Sequence, residues 1–441
     1  MRELRPVPRL RGARGGVPGA GGEARPVSRN GEGRGQLERR LLVLVTLGLV
    51  AFGLVMVFSA TSASAAIGNG DPMTYLTKQG LYALAGLAAL VVLSRVDYHR
   101  MRAAAPMMLL GALLLCAAVL VLGQPVNGAN RWFFLGPISV QPSEIAKLAL
   151  CVWLSWHLSR RAPARTFGQL MKPVGWIVLL FAGLIMLEPD LGTAIALVIM
   201  VTAVLIVSGV SNRLLAQAVG ALGALGALGI WMEPYRRDRL LSFLDPWKDP
   251  EGDGFQIVQA LIGIGSGGLT GNGLGEGVAK VFYLPEAHTD MIFAIVGDEL
   301  GLIGSTIVIA CFGAFVWAGF RIGLRCRDPF GKRLAVGITA LIGGQALVNL
   351  AAVLGIAPLT GIPLPFVSYG GSSLIVLLSA VGILLNIAVN ERVVEARVRD
   401  RGRGNGRSRQ ARPRSRGSAA GARRERDVRR NPRTRRVAAG S

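Results

Sequence analysis

Four short stretches of this chain carry residues able to do chemistry, and each borders a long apolar run. The first, YLPEAHTD, places Glu286, His288 and Asp290 within five residues, directly before the apolar run that Met291 opens. An acid at a helix N-terminus stays ionised, because the helix dipole stabilises the anion. Asp290 therefore has the properties of a general base acting on a hydroxyl. Capping by Thr289 or Asp290, with Pro285 ending the preceding segment, explains the same residues without chemistry. The sequence holds no GxSxG elbow, so a serine hydrolase is not indicated.

The second stretch, NGANRWFFLGPISVQPSEIAKLAL, sets Arg131 and Trp132 at interface depth, where Trp alone would read as an aromatic belt. Pro142 and Ser143 mark a helix start, with Glu144 in its first turn and Lys147 three residues on, on the same face. A local ion pair accounts for these two. Yet a charge one turn inside an apolar block costs ~2.5–3.5 kcal/mol, and such residues usually face a polar cavity. In the third stretch, EPDLGTA, Asp190 suits a helix cap, whereas Glu188 is not explained by capping. These acids could orient Lys147 or Arg131, or bind a cation. The fourth, GIAPLTGIPLPFVSYGGSS, has prolines that forbid a regular helix, followed by Ser368, Tyr369, Gly370, Gly371 and Ser372. Irregular backbone at membrane depth belongs in protein or along a wet cavity. The Gly–Ser run could offer backbone N–H groups to an anion, or form a capped turn.

The elements that must position these residues are membrane helices. Of 441 residues, 51% are hydrophobic, grouped in blocks of about 20, each long enough to cross a ~30 Å hydrocarbon layer. The pattern predicts an all-α polytopic membrane protein with ten spans, roughly 40–61, 74–94, 104–123, 143–158, 173–188, 191–210, 213–232, 290–320, 333–354 and 372–390. A large loop, 233–289, separates the seventh from the eighth. Arg95, Arg100 and Arg102, then Arg160, Arg161, Arg165 and Lys172, then Arg213, then Arg321 to Arg333 fall in alternate loops, which the positive-inside rule places in the cytoplasm with both termini. All four polar stretches then lie on the outer face. The run Gly220, Gly223, Gly226 and Gly229 reads as a surface for close helix approach.

Of the net charge of +23, +20 resides in two tails: residues 1–39, with Arg40 just beyond, and 392–441, which alone has eighteen Arg against four acids. Both are expected to be disordered and cytoplasmic, near anionic lipid and partner proteins rather than nucleic acid. Four scattered cysteines indicate neither disulfides nor zinc, and no cleavable signal precedes the first apolar block, which reads as a retained anchor. A formal GxGxxG at Gly263, Gly265 and Gly268 lacks the strand and acid of a nucleotide site and reads as a flexible or re-entrant loop.

Together, RWFFLGPISVQPSEIAKL, EPDLGTA, GNGLGEG, YLPEAHTDMIFAIVGDELG and PLPFVSYGGSS, in this order, resemble the SEDS family (shape, elongation, division and sporulation) over about residues 40–391. YLPEAHTD and PFVSYGGSS look more like the FtsW-type division branch than the RodA-type elongation branch. The chain departs from the family in MIF after Asp290, where FIF is usual, and in GLGEGVAK around Glu276.

The resemblance implies ten membrane helices and a peptidoglycan glycosyltransferase that polymerises lipid II on the outer face of the cytoplasmic membrane, at the division septum. It makes Asp290 the essential acid. Arg131 and Lys147 would then offset charge on the pyrophosphate, and a divalent cation is left open. Glu144, Glu188 and Asp190 would position these cations, and Tyr369 to Ser372 would line the cavity. It also implies a class B penicillin-binding protein as partner, with other division proteins reached through the tails. The alternatives are a lipid II flippase, a RodA-type elongation polymerase, or a scaffold for division proteins.

Overall fold

The computed structural model describes residues 30–66, 72–126, 129–136, 138–252, 254–277 and 287–407. The chain divides into two units, Met1–Glu391 and Arg392–Ser441. In the second, residues 392–407 are helical and continue α13.

Every expected span coincides with a helix: α1 Asn30–Ala66, α2 Pro72–Arg95, α3 His99–Leu122, α4 Pro142–Ser159, α5 Phe167–Leu170 leading through a π turn into α6 Trp176–Leu187, α7 Leu191–Val207, α8 Asn212–Met232, α11 Ile292–Arg325, α12 Pro329–Val353 and α13 Ser372–Arg407. Eight of these stretches are long and apolar enough to cross a membrane, and α7 is a shorter apolar helix. α4 falls outside both groups and carries Glu144 and Lys147. α1 and α13 run past the apolar blocks into the charged tails. Extending an existing helix costs no new nucleation, and these two helices run on through Asn30 to Arg39 and Arg392 to Arg407.

The loop 233–289 is not simply a loop. It holds α9 Pro234–Leu244 and α10 Phe255–Ser266, and α10 packs on α11 and α12. The segment before α4 forms a three-stranded antiparallel sheet, β1 Gln124–Val126, β2 Ala129–Leu135 and β3 Ile138–Val140, which the apolar pattern did not reveal.

α12 is central, packing on α4, α7, α10 and α11. In α12 78% of the span is buried inside the protein, against 11% in α8. Close approach occurs along α12 itself: a Cβ on Gly319 of α11 would meet Thr339 Oγ1 at 2.3 Å, and one on Gly337 would meet Cys151 Sγ at 2.5 Å. The stripe on α8 corrects the expectation of close packing, because a Cβ at Gly220, Gly223 or Gly226 would meet nothing within 4 Å. Small residues permit a close neighbour, but α8 lies at the periphery.

α11 is broken at Gly301 (φ 63°, ψ −160°), a backbone region open essentially to glycine alone. The turns after α10 close over this break. Leu302 N donates to Gly268 O, Asn272 N to Asp298 O and Gly273 N to Glu299 O, at 2.9–3.1 Å. Buried Asp298 accepts from Ser266 Oγ and Asn272 Nδ2, and buried Glu299 accepts from Ser59 Oγ of α1. The glycine-rich stretch is therefore a clasp on α11 and not a flexible loop. A Cβ on Gly301 would also lie 2.4 Å from Gly271 N. Gly301→Ala is expected to cost about 1–3 kcal/mol and lower the melting temperature of the purified protein. Gly313→Ala, in the same helix with open space around it, is the control and should not lower it.

Candidate active site

The helix connections put the polar stretches at one end of the bundle, opposite the arginine-rich loops, and hydrogen bonds join them there. Gln141 precedes α4. Its N–H donates to Ser372 Oγ (3.0 Å) and its side-chain Nε2 to Asp190 Oδ2 (3.2 Å). Asp190 caps α7 by accepting from Thr193 N (2.9 Å), as its place in the sequence suggested. One turn into α4, Glu144 Oε1 accepts from Lys147 Nζ (2.7 Å) while Oε2 accepts from Ser373 Oγ (3.1 Å). Lys147 is 1% exposed, so its ammonium is held in a buried local pair and not presented at a surface. Arg131, in β2, donates from Nε to Glu188 O and from Nη2 to Pro189 O (2.8 Å). It grips the turn's backbone and not the acid side chains. Trp132, its neighbour, is half-buried in β2.

Glu188 is the exception to this satisfied frame. Both carboxylate oxygens are buried without a hydrogen-bond partner among the described residues, as is Ser143 Oγ. Burial pushes its pKa up from 4.5 to about 8, and the Asp190 charge adds to this, against the Arg131 charge, which lowers it.

Residues 354–371 carry no helix, as their prolines required. Ser368 lies at the centre of this segment. Its Oγ accepts from Leu364 N (2.8 Å), and its carbonyl accepts from Gln79 Nε2 of α2 (3.1 Å). Gly370 and Gly371 turn the chain into α13, with Gly371 at φ 49° beside Ser139 of β3. The Gly–Ser run is thus a hydrogen-bonded turn tied to α4.

Asp290 sits next to this segment. Tyr369 N donates to His288 O (2.9 Å), and Asn349 Nδ2 of α12 donates to both Asp290 O (2.7 Å) and Ile362 O (2.8 Å). Met291 precedes α11 and no side chain caps the helix, so capping by Thr289 or Asp290 is not realised; Thr289 Oγ1 instead donates to Asp290 Oδ1 (3.3 Å). Asp290 is partly buried. His288, Tyr369 and Tyr75 of α2 form an aromatic cluster with ring centroids 5.1–5.6 Å apart. Burial, with Tyr82 and Tyr75, pushes the Tyr369 hydroxyl up to about 12, so it stays protonated. Glu286 lies outside the described residues. Among those described, no group of three or more His, Cys, Asp or Glu is placed to hold a metal ion.

Gln141, Asn349 and Tyr75 were not singled out in the sequence, although an Asn inside an apolar span is itself a signal of function. Asp298 and Glu299 gave the same signal as adjacent acids in an apolar run.

A family model for FtsW, RodA and SpoVE, described as "Cell cycle protein", matches residues 39–393. The chain belongs to this family. It is 42% identical over 351 residues to a "Probable peptidoglycan glycosyltransferase FtsW" of Geobacter metallireducens, covering 79% of this chain and 94% of that one. It is 41% identical over 354 residues to "Stage V sporulation protein E" of Bacillus subtilis, covering 79% and 96%. Among solved structures, one from work on "polymerization and crosslinking by a peptidoglycan synthase complex" aligns with TM-score 0.67 at 32% identity, over 79% of this chain and 97% of that one. The rod shape determining protein RodA of Thermus thermophilus aligns with TM-score 0.60 at 30% identity, over 79% and 96%. The SEDS resemblance and the multi-pass helical membrane fold both stand on these matches.

The raised Glu188 carboxyl has a measurable consequence. Between about pH 4.5 and about 8 it binds its proton more tightly folded than unfolded, so its contribution to stability falls as pH rises through that window. The melting temperature of Glu188→Gln should overtake that of the wild type across this range, with a constant difference above it. Parallel pH profiles would contradict this.

Proposed function

We propose that this chain polymerises lipid II into glycan strands on the outer face of the cytoplasmic membrane, during septal wall synthesis. Peptidoglycan glycosyltransferase is the activity named for its FtsW relatives. The observation that carries the reading for this chain is the setting of Asp290. Its backbone is held by Asn349, its neighbour His288 by Tyr369, and the residue is only partly buried at the polar end of the bundle.

In this reading the outer face is the Asp290 end, and both termini are cytoplasmic, as the positive-inside rule requires. Asp290 takes the proton from the acceptor sugar hydroxyl as its oxygen attacks the anomeric carbon of the donor. The anomeric C–O bond to pyrophosphate breaks as the new glycosidic bond forms, and undecaprenyl pyrophosphate leaves with its electron pair. Attack from the opposite face converts an α-linked donor into a β-linked polymer.

Arg131, with one terminal nitrogen not used on the 188–189 carbonyls, stands nearest the role of offsetting pyrophosphate charge. Lys147 and Glu144 act one step back, by fixing Ser373 and the start of α13. Glu188 and Asp190 shape the turn that Arg131 grips. Tyr75, His288 and Tyr369 offer ring edges beside Asp290 against which a sugar can lie. The steps above use only side chains of this chain. A class B penicillin-binding protein is the proposed partner, with the arginine-rich tails reaching other division proteins.

The test is polymerisation of lipid II by the purified protein with its partner. Asp290→Asn should fold, by circular dichroism and melting temperature, yet lose polymer formation by at least about 100-fold, the scale of a general base. Retained polymerisation would remove Asp290 from this role. Lipid II crossing liposomes without any polymer would favour transport instead.

A further inference from the structure

A cavity of ≈ 260 Å³ lies far from the candidate site, between the α5–α6 stretch, α7 and α8. Its lining runs along residues 167–179, 201–205 and 215–225, and Thr202 supplies the single polar side chain among the sixteen residues that form it. These segments are the start of α6, the end of α7 and the start of α8, so the cavity occupies the half of the membrane next to the arginine-rich loops. Phe167, Val219 and Leu225 are each more than a third exposed, so the cavity opens sideways. Water does not fill an apolar space of this kind. In a bilayer, what lies outside the opening is lipid.

Length and charge both define the occupant. Residues 215–225, within α8, span roughly 15 Å at 1.5 Å per residue. That is about half of a ~30 Å hydrocarbon layer, the depth of one leaflet. Arg165 precedes α5, Lys172 lies in the π turn between α5 and α6, and Arg213 stands in the first turn of α8; all three are exposed, and among the described residues none has an acid within salt-bridge distance. They belong to neighbouring turns, since a Cβ on Gly209 would touch Pro163 at 3.4 Å and α5 contacts α8. No Asp or Glu occurs between Lys147 and Glu188, or between Asp190 and Glu233. A leaflet-deep apolar slot flanked by three exposed cations is complementary to a lipid with a negative headgroup.

We propose that this cavity binds one acyl chain of an anionic phospholipid from the leaflet on the basic side, with the headgroup phosphate held by Arg165, Lys172 and Arg213. The bound chain supplies the packing that α8 lacks from protein. This site is independent of the proposed polymerase reaction.

The experiment is native mass spectrometry of the full-length protein released from nanodiscs containing equal parts phosphatidylglycerol and phosphatidylcholine. The wild type should retain one phosphatidylglycerol in at least about tenfold preference over phosphatidylcholine. The triple variant Arg165→Gln, Lys172→Gln, Arg213→Gln changes only exposed side chains and should keep a lipid but lose the preference. Ala218→Phe with Ala221→Phe fills the slot and should lose retention altogether. The proposal is overturned if the wild type retains no lipid or shows no preference, or if the triple variant keeps the wild-type preference. It is likewise overturned if the folded slot variant retains phosphatidylglycerol unchanged, or if polyprenyl phosphate displaces the diacyl lipid.

Discussion

Irregular backbone between two membrane helices must find all its hydrogen bonds inside the protein, and residues 354–371 impose that constraint on everything around them. Their proline content rules out the intrachain ladder that would otherwise satisfy them. Ser368 and Ile362 carbonyls therefore draw amides from Gln79 of α2 and Asn349 of α12. Ser372 and Ser373, at the start of α13, reach Gln141 and Glu144 of the α4 entry. Because Asn349 uses the same nitrogen for Asp290 O, whatever secures the broken segment also secures the candidate base. One amide thus ties the candidate base to the broken segment.

The two ends of the bundle solve their polar problems differently. At the basic end, buried Glu38 of α1 pairs across helices with the exposed Arg325 of α11 (2.7 Å), and Tyr98 donates its hydroxyl to Asp328, which also caps α12. At the other end, charges are interior and tied into hydrogen-bond chains, as with Lys147, Glu144 and Ser373. A buried ion pair rarely adds net stability, since desolvation consumes the Coulombic gain. Its value here is specificity: Glu144 satisfies both partners only when α13 begins where it does. Glu188, left without a hydrogen bond, is where this frame holds a cost instead of relieving one.

Much of the fold was legible in the sequence because hydropathy is a local, additive property. Blocks of about 20 apolar residues marked the helices, and prolines at 358, 363 and 365 marked the break in regular structure. Asp190 as a cap and Glu144 with Lys147 as an i, i+3 pair were also readable, each needing only a few neighbouring residues. The sheet at 124–140 was not, because its strands are short and its pairing is set by the turn and by Tyr82, from another helix. The glycine-rich clasp was misread as flexible for the same reason: its partners, Asp298 and Glu299, come from a helix beyond the intervening segment. The glycine stripe of α8 failed in the opposite way, since local pattern says what a surface allows and not whether a neighbour is present.

The sequence by itself determined that this is a multi-pass helical membrane protein of the SEDS type and that Asp290 stands where a helix begins. Those properties depend on composition and short-range order. Only the tertiary structure decided that Asn349 and Tyr369 hold the Asp290 segment, that Arg131 grips carbonyls and not carboxylates, and that Lys147 is sealed beside Glu144. Asn349 and Asp290 are 59 residues apart and Ser373 and Glu144 are 229 apart, so no local rule pairs them. What pairs them is the requirement that buried polar groups find partners, and that is met only once all the helices are in place.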